Sequence, residues 1–228
     1  MKKRIFLQGS LVIGGVALAI VFHDYFFPHW SSPIWERWLD LLGITLVLNG
    51  FLIRVLARGY KSLRSAQSHA LVNQGIYRLM RNPMYLGSFL IGIGGILVVF
   101  QWWLMFIFIA GFFAIYIPEM RKEEKFLLEH FGEEYRQYCL ATPKFIPRLT
   151  SIFSEDFRRE FVFDRKWFRS EISAMIWTVG LIMVIEMWED TTLFGEKIAS
   201  LDFLELVLAI VLTGIIWIVV ARCFQKRV

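Results

Sequence analysis

The chain has 228 residues, of which 57% are hydrophobic, 17% aromatic and only 20% charged, and its mean hydropathy is +0.53. This composition excludes an ordinary water-soluble globular domain. The net charge of +5 does not require a nucleic-acid partner, because basic cytoplasmic loops of a membrane protein explain it.

Apolar runs predict an all-α, polytopic membrane protein with about six transmembrane helices. In chain order the runs are Ile5–Phe27, Ile34–Ala57, Pro83–Phe100, Trp102–Pro118, Glu171–Trp188 and Phe203–Ala221. The first follows a short basic segment and has no small-residue cleavage site, which indicates an uncleaved anchor. Only Gln101 and its tryptophan neighbours separate the third and fourth runs. These two runs therefore form either a tight hairpin or a single re-entrant unit.

The positions of the basic residues predict the orientation in the membrane. Of the 25 Lys and Arg residues, only Arg37 and Lys197 lie outside the two chain ends, loop 54–81 and segment 121–169. Lys and Arg are retained on the cytoplasmic side of short loops, so both termini are expected to be cytoplasmic. If the protein is bacterial, the membrane is the inner one.

Four regions follow from this arrangement. They are an N-terminal anchor (1–33), a core (34–147), a basic cytoplasmic linker (148–170) and a C-terminal transmembrane helix pair (171–228). Cys139 and Cys223 provide neither a disulfide framework nor a metal-binding spacing, so we expect free thiols and no metal site. Isolated polar residues within the spans are expected to face the bundle interior, namely Asn49, Glu186 and Glu205.

The polar residues available for chemistry lie at the two ends of the predicted hairpin. The loop from Arg54 to Arg81 contains six basic and no acidic residues, whereas the segment after Pro118 carries the pair Glu123 and Glu124. A hairpin begins and ends at one membrane surface. Arg81 and Asn82 are therefore expected near Glu123.

Asn82 and Pro83 predict the start of a helix, with the Asn82 side chain capping the free backbone N–H groups. The helix amino end, together with Arg78 and Arg81, would bind a carboxylate or phosphate. The alternative is that the Asn-Pro pair only begins a membrane helix.

Two further patterns each have two interpretations. Glycines 87, 92, 94 and 95 allow either close helix packing or the approach of a flat ligand. The Glu123–Glu124 pair belongs either to a solvated helix or to a pocket. An apolar stripe at helical spacing follows the acidic pair and favours packing over catalysis, and its members are Leu127, Phe131, Tyr135 and Tyr138.

Over residues 68–147 the chain resembles a known family. The sequence HALVNQGIYRLMRNPMYLG, the later EEKFLLEHFGEEYRQY and the closing TPKFIP are similar to motifs of the membrane methyltransferases that include isoprenylcysteine carboxyl methyltransferases and phospholipid N-methyltransferases. So many positions at fixed spacing make the resemblance specific.

The resemblance implies an S-adenosylmethionine pocket at the cytoplasmic face of the membrane. By position, its cofactor-binding residues would be His69, Leu71, Val72, Tyr77, Asn82, Pro83, Tyr85, Gly92, Gly94, Glu123 and Glu124. Arg81, Asn82 and Glu123 are the expected catalytic residues. The methyl acceptor would be a lipidic or amphipathic molecule that enters from the bilayer, and the reaction a direct displacement that requires alignment and desolvation.

Two positions depart from the family pattern. Asn82 replaces a His, and Glu119 stands where the isoprenylcysteine enzymes have an Arg. The second change weakens the case for a prenylcysteine carboxylate as acceptor. These departures also leave open a non-catalytic membrane scaffold or lipid-binding subunit.

Overall fold

The computed structural model describes residues 25, 33–65, 70–148, 150–151, 157, 164–193, 206–215 and 217. Within these residues the chain is helical and contains no strand. The helices are α1 (Pro33–Ser65), α2 (Ile76–Leu79), α3 (Pro83–Val99), α4 (Leu104–Ala141), α5 (Ile172–Leu193) and α6 (Leu206–Ile215), with a 3₁₀ helix at Arg165–Ser170 before α5. The all-helical prediction is confirmed for this part of the chain.

Two of these helices are long and apolar enough to cross a membrane, namely Arg37–Leu63 within α1 and the whole of α4. Helices α3, α5 and α6 are apolar but shorter. The number of six spans and the positions of the termini remain predictions, since the first predicted span lies outside the described residues apart from Tyr25.

Helices α1 and α3 are in backbone contact. A Cβ atom on Gly94 would lie 2.4 Å from the carbonyl oxygen of Gly43, and one on Gly50 would lie 2.6 Å from that of Gly87. Small residues at such contacts let membrane helices pack closely. The packing interpretation of the glycines is thus confirmed at Gly87 and Gly94, and residues of α1, α3, α5 and α6 share one buried apolar cluster around Val47.

Helices α3 and α4 form a hairpin. The backbone N–H groups of Leu104 and Met105 donate to the carbonyls of Gln101 and Trp102 at 3.0 and 3.2 Å, which closes the turn. The predicted apolar run ends at Pro118, but α4 itself continues through this proline to Ala141, so the acidic pair and the apolar stripe lie on the same helix as the second arm. A proline removes one hydrogen bond without ending a helix when its neighbours tolerate the local adjustment.

The C-terminal helices are attached to α1 by polar contacts. The Asn49 amide Nδ2 donates to the Thr45 carbonyl at 2.8 Å and to Thr213 Oγ1 at 3.4 Å, and Trp217 Nε1 donates to Asn49 Oδ1 at 3.1 Å. Asn49 therefore faces the bundle interior, as predicted. The side chains of Glu186 and Glu205 lie outside the described residues.

Candidate active site

A cavity of about 780 Å³ opens where the C-terminal half of α1, the loop before α3, the start of α3 and the second half of α4 meet. Both motif-bearing stretches contribute to its wall. The sequence-predicted residues that line it are Leu71, Val72, Tyr77, Arg81, Asn82, Pro83, Tyr85, Glu123 and Glu124. The hairpin therefore brings the basic loop and the acidic pair together.

The loop is shaped by a glycine in a left-handed conformation. Gly75 has φ 55°, and a Cβ atom there would lie within 2.1 Å of the Tyr60 ring. This turn starts α2 and places Tyr77 in the cavity wall. The Tyr77 carbonyl accepts a hydrogen bond of 2.6 Å from the Tyr138 hydroxyl. The glycine of the motif thus fixes the loop against both α1 and α4.

A segment after α4 crosses the loop from the other side and is called here the strap (residues 142–148). The N–H of Arg81 donates to the Pro143 carbonyl, and the N–H of Arg148 to the Leu79 carbonyl, each at 2.9 Å. The closing TPKFIP motif therefore helps to hold the loop in place through backbone hydrogen bonds.

Asn82 begins α3 as predicted, but its side chain does not cap the helix. Its Nδ2 atom donates instead to the Lys144 carbonyl of the strap at 3.0 Å. The capping prediction is wrong because the donor bond to the strap orients the buried amide, and its Oδ1 atom accepts no hydrogen bond from the first backbone N–H groups of α3. The amino end of α3 consequently has no side-chain acceptor from Asn82.

Glu124 forms two ion pairs within the site. Its carboxylate oxygens lie 3.0 Å from Arg81 Nη1 and 2.6 Å from Lys144 Nζ. Arg81 Nη1 also lies 2.8 Å from Cys139 Sγ. Glu124 is thus neutralised by two cations, and its arrangement suits a role in holding Arg81 and the strap.

Glu123 has different surroundings although it is the adjacent residue. Its side chain is exposed along the cavity, and its carboxylate interacts with the Tyr85 hydroxyl. Burial, and secondarily the Glu123 charge, raise the pKa of Tyr77 well above its ordinary value. Tyr77 therefore keeps its proton at physiological pH. Because the Glu123 side chain is exposed along the cavity, it remains accessible to a ligand.

The apolar stripe of α4 closes the cavity. Tyr135 and Tyr138 are buried against Leu71, with Leu127 and Phe131 packed beside them. All four stripe residues also line the cavity. A kink at Gly132, where φ is 54° and ψ is −120°, turns this part of α4 over the loop. The stripe therefore packs, as predicted, and also walls the site.

Three sequence-predicted residues are not in the described cavity wall. Gly94 packs against Gly43 and Val47 of α1, and Gly92 faces the Phe108 ring of α4. Neither Gly92 nor Gly94 lines the cavity. The predicted cofactor-binding role of these two glycines receives no geometric support, because atoms of neighbouring helices fill the space beside each of them. His69 lies outside the described residues.

Other cavity residues were not predicted from the sequence, namely Arg54, Lys61, Ala70, Met84, Ser88, Tyr116, Phe126 and His130. Only Arg54 carried a usable signal, since a charged residue inside an apolar run is by default a candidate for function. Glu119, one of the two departures, pairs with Lys122 at 3.3 Å. Among the described residues, no group of three or more His, Cys, Asp or Glu side chains could hold a metal ion.

The chain is similar to known proteins over the region that forms the cavity. The profile of the phospholipid methyltransferase family matches residues 39–134, which include most of the loop, the hairpin and the acidic pair. The chain is 30% identical over 185 residues to the cobalt-zinc-cadmium resistance protein CzcN of Cupriavidus metallidurans, covering 81% of this chain and 77% of that protein.

Two relatives carry the name of an enzyme. Protein-S-isoprenylcysteine O-methyltransferase B of Arabidopsis thaliana is 26% identical, covering 56% of this chain and 66% of its own length. Protein-S-isoprenylcysteine O-methyltransferase of Saccharomyces cerevisiae is 30% identical, with coverages of 53% and 55%. The chain belongs to this family of membrane methyltransferases.

The similarity to these enzymes covers only part of each chain. The chain spans about half to two thirds of the length of these two isoprenylcysteine methyltransferases. The family assignment and the two long apolar helices make the chain a membrane protein of a methyltransferase family. No solved structure matches the chain significantly.

Proposed function

We propose that the chain is an S-adenosylmethionine-dependent methyltransferase that acts on a lipidic or amphipathic acceptor at the cytoplasmic face of its membrane. The observation that carries the proposal is that residues of both family motifs line one and the same cavity. Its volume of about 780 Å³ lies within the range of small-molecule sites.

The groups in the wall fit the cofactor. The accessible Glu123 carboxylate can accept hydrogen bonds from an ammonium group or from ribose hydroxyls. The amino end of α3 has no side-chain cap, so its backbone N–H groups are available to a carboxylate. Arg81 Nε is buried and has no hydrogen-bond partner within the described residues. The zwitterionic amino-acid moiety of the cofactor thus has matching donors for its carboxylate and an acceptor for its ammonium group.

When bound, S-adenosylmethionine supplies an electrophilic methyl group. The contribution of the chain is to align the two reactants and to exclude water, which direct displacement requires more than a covalent intermediate. Tyr135 and Tyr138, held over Leu71 by the kink in α4, exclude water from one side. Tyr77 stays protonated, so its hydroxyl can donate a hydrogen bond but does not act as a general acid or base near neutral pH.

The proposed face follows from the charge distribution. Residues of segments 54–81 and 121–169 line the cavity, and these two segments together hold most of the Lys and Arg residues. Cytoplasmic loops carry this excess in membrane proteins. An amphipathic acceptor can then reach the cavity sideways from the lipid.

The test is calorimetric titration of the purified, folded protein with S-adenosylhomocysteine, the product that the same pocket must hold. We expect saturable binding at one site. Absence of binding in a detergent-stable sample would sink the enzyme hypothesis and leave the scaffold alternative. Incubation of membranes with methyl-labelled cofactor then identifies the acceptor class, according to whether the label enters lipid, protein or volatile material.

A further inference from the structure

The strap (residues 142–148) is anchored in an aromatic cluster of the hairpin. The centroid of the Phe145 ring lies 5.8 Å from that of Phe89 on α3 and 5.4 Å from that of Phe113 on α4. Both ring pairs meet edge to face, an arrangement that aromatic pairs prefer. Phe145 therefore fixes the strap to both helices of the hairpin, in addition to the backbone hydrogen bonds that join it to the loop.

The two ring contacts place this part of the strap at the level of the apolar helix segments. Phe89 follows Pro83 by six residues and Phe113 precedes Pro118 by five, which is about 9 Å along α3 and about 8 Å along α4 at 1.5 Å per residue. Charged residues occur on α4 only after Pro118. The Phe145 side chain thus reaches past the polar ends of both helices into the apolar part of the hairpin.

Ile146, the next residue of the strap, has an outward-facing side chain. It is 78% exposed, although consecutive Cα atoms are only about 3.8 Å apart. Helix α4 also exposes large apolar side chains before Pro118, namely Phe106, Ile107 and Ile115. In a membrane-spanning helix such a surface faces lipid. Ile146 therefore adds to the lipid-facing apolar surface of the hairpin.

Basic residues stand two positions before and two positions after Ile146. The Lys144 ammonium group is paired with Glu124 at 2.6 Å, whereas Arg148 is exposed. An exposed cation beside an apolar side chain is typical of segments that lie in the membrane interface, where the apolar group inserts and the charge stays at the anionic head groups. The charge next to Ile146 therefore matches a lipid surface.

We propose that the strap is a lipid-contact segment, in which Ile146 inserts into the bilayer that surrounds the hairpin and Arg148 lies at its anionic head groups. The inference goes beyond the proposed function, since it holds whether or not the chain transfers a methyl group. The other possible occupant of this surface is a second copy of the chain. Lipid is favoured because the exposed isoleucine lies beside helices that themselves face the bilayer.

Lipid contact at this point bears directly on the cavity wall. The Lys144 carbonyl accepts from Asn82 and the Pro143 carbonyl accepts from the N–H of Arg81, so residues just before Ile146 hold two residues of the wall. Insertion of Ile146 restrains the strap from the outer side. The bilayer therefore helps to keep the loop in place.

The experiment introduces the photoreactive amino acid p-benzoylphenylalanine in place of Ile146 in the full chain. The protein is reconstituted into vesicles of phosphatidylethanolamine and phosphatidylglycerol and irradiated, so that the probe forms a carbon–carbon bond to a neighbouring C–H group. The matched control carries the same probe in place of Glu133, an exposed residue of the charged part of α4 that contacts Arg136 and Gln137. Intact-protein mass spectrometry measures the adducts.

We expect a mass increase of one phospholipid with the probe at position 146 and little or none at position 133. Absence of a lipid adduct at position 146, or equal adducts at both positions, overturns the proposal. Crosslinking of two chains through position 146 identifies a second copy as the occupant and overturns it as well. Both replaced side chains are exposed, so both labelled proteins are expected to elute like the wild type in size-exclusion chromatography.

Hydrogen exchange of the strap amides in the same vesicles needs no photoreactive probe. Ile146→Gln puts a polar group into lipid and is expected to speed exchange of the strap about tenfold. Ile146→Leu keeps an apolar side chain and should exchange like the wild type. If Ile146 faced water, the two substitutions would have equal effects, and that result contradicts the lipid contact.

Discussion

At the scale of single residues, the neighbours Glu123 and Glu124 have different surroundings although they are one helical step apart. Successive helical side chains point about 100° apart. Glu124 is paired with Arg81 and Lys144, whereas Glu123 stays exposed along the cavity. A change of charge at Glu123 should therefore affect a ligand, and the same change at Glu124 should affect the strap.

Replacing Glu123 by Gln is expected to weaken S-adenosylhomocysteine binding about tenfold or more, because a charged hydrogen-bond acceptor is lost. Calorimetry measures the effect. Glu133→Gln is the control, since Glu133 is exposed and contacts only Arg136 and Gln137 of its own helix among the contacts described. Equal losses in the two variants would show that the pocket is misplaced.

Asn82 allows a test of the strap. Asn82→Asp removes the N–H donor to the Lys144 carbonyl and is expected to lower the free energy of unfolding by about 1–3 kcal/mol. Asn82→His, the family residue, keeps a ring N–H and should lose less. Thermal unfolding in detergent compares the two, and an unchanged transition in the Asp variant would contradict the structural role of this bond.

At the scale of elements, the kink in α4 directs its aromatic stripe over the loop. Gly132→Ala places a side chain at a positive φ, which costs about 1–3 kcal/mol, and should also weaken S-adenosylhomocysteine binding by moving Tyr135 and Tyr138. Gly111→Ala on the same helix is the control, because its Cβ would meet nothing within 4 Å. Identical behaviour of both variants in unfolding and calorimetry would mean that the kink is dispensable.

The contact between α1 and α3 gives a second prediction at this scale. Gly94→Ala would drive a Cβ against the Gly43 carbonyl and should lower stability by about 1–3 kcal/mol without changing the affinity of the folded fraction for S-adenosylhomocysteine. Gly180→Ala, in open space on α5, should be neutral. Lost binding at unchanged stability would instead support the flat-ligand interpretation of Gly94.

Much of the element pattern is readable from the sequence, and the reasons for the failures are physical. Asn82 and Pro83 mark the start of α3 because their preferences are local. The partner of the Asn82 side chain is 62 positions away, so no local rule finds it. The helical spacing of the stripe after Pro118 is also readable, although the continuity of α4 through this proline is not a local property. The charge of Arg54 inside an apolar run was a usable signal, but its pairing with Glu171, 117 positions away, has no local sequence signature.

At the scale of the whole molecule, two polar connections make the core and the C-terminal helices one unit. One joins Arg54 and Arg58 to Glu171, and the other joins Asn49 to Thr213 and Trp217. The family profile ends at residue 134, yet a wall residue of the cavity depends on a side chain at position 171. The C-terminal helices therefore support the site from outside the matched region.

The proposed orientation of the molecule has a direct test. Trp102→Cys, in the exposed turn between α3 and α4, is expected to react with a membrane-impermeant maleimide in intact cells. Glu133→Cys is expected to react only after permeabilisation, like the native Cys139. The wild-type chain controls for the native thiols. The reverse labelling pattern would place the cavity on the opposite face.

The buried ion cluster also bears on how the protein is made. Arg54 and its carboxylate are 117 positions apart, so at roughly 5–20 residues per second the arginines wait on the order of 6–23 seconds for Glu171 to leave the ribosome. During that interval the Arg54 guanidinium stands in an apolar helix without the Glu171 carboxylate. This part of the cavity wall is thus completed only after the family core has been synthesised, and a chain that stops short of Glu171 leaves Arg54 without that carboxylate.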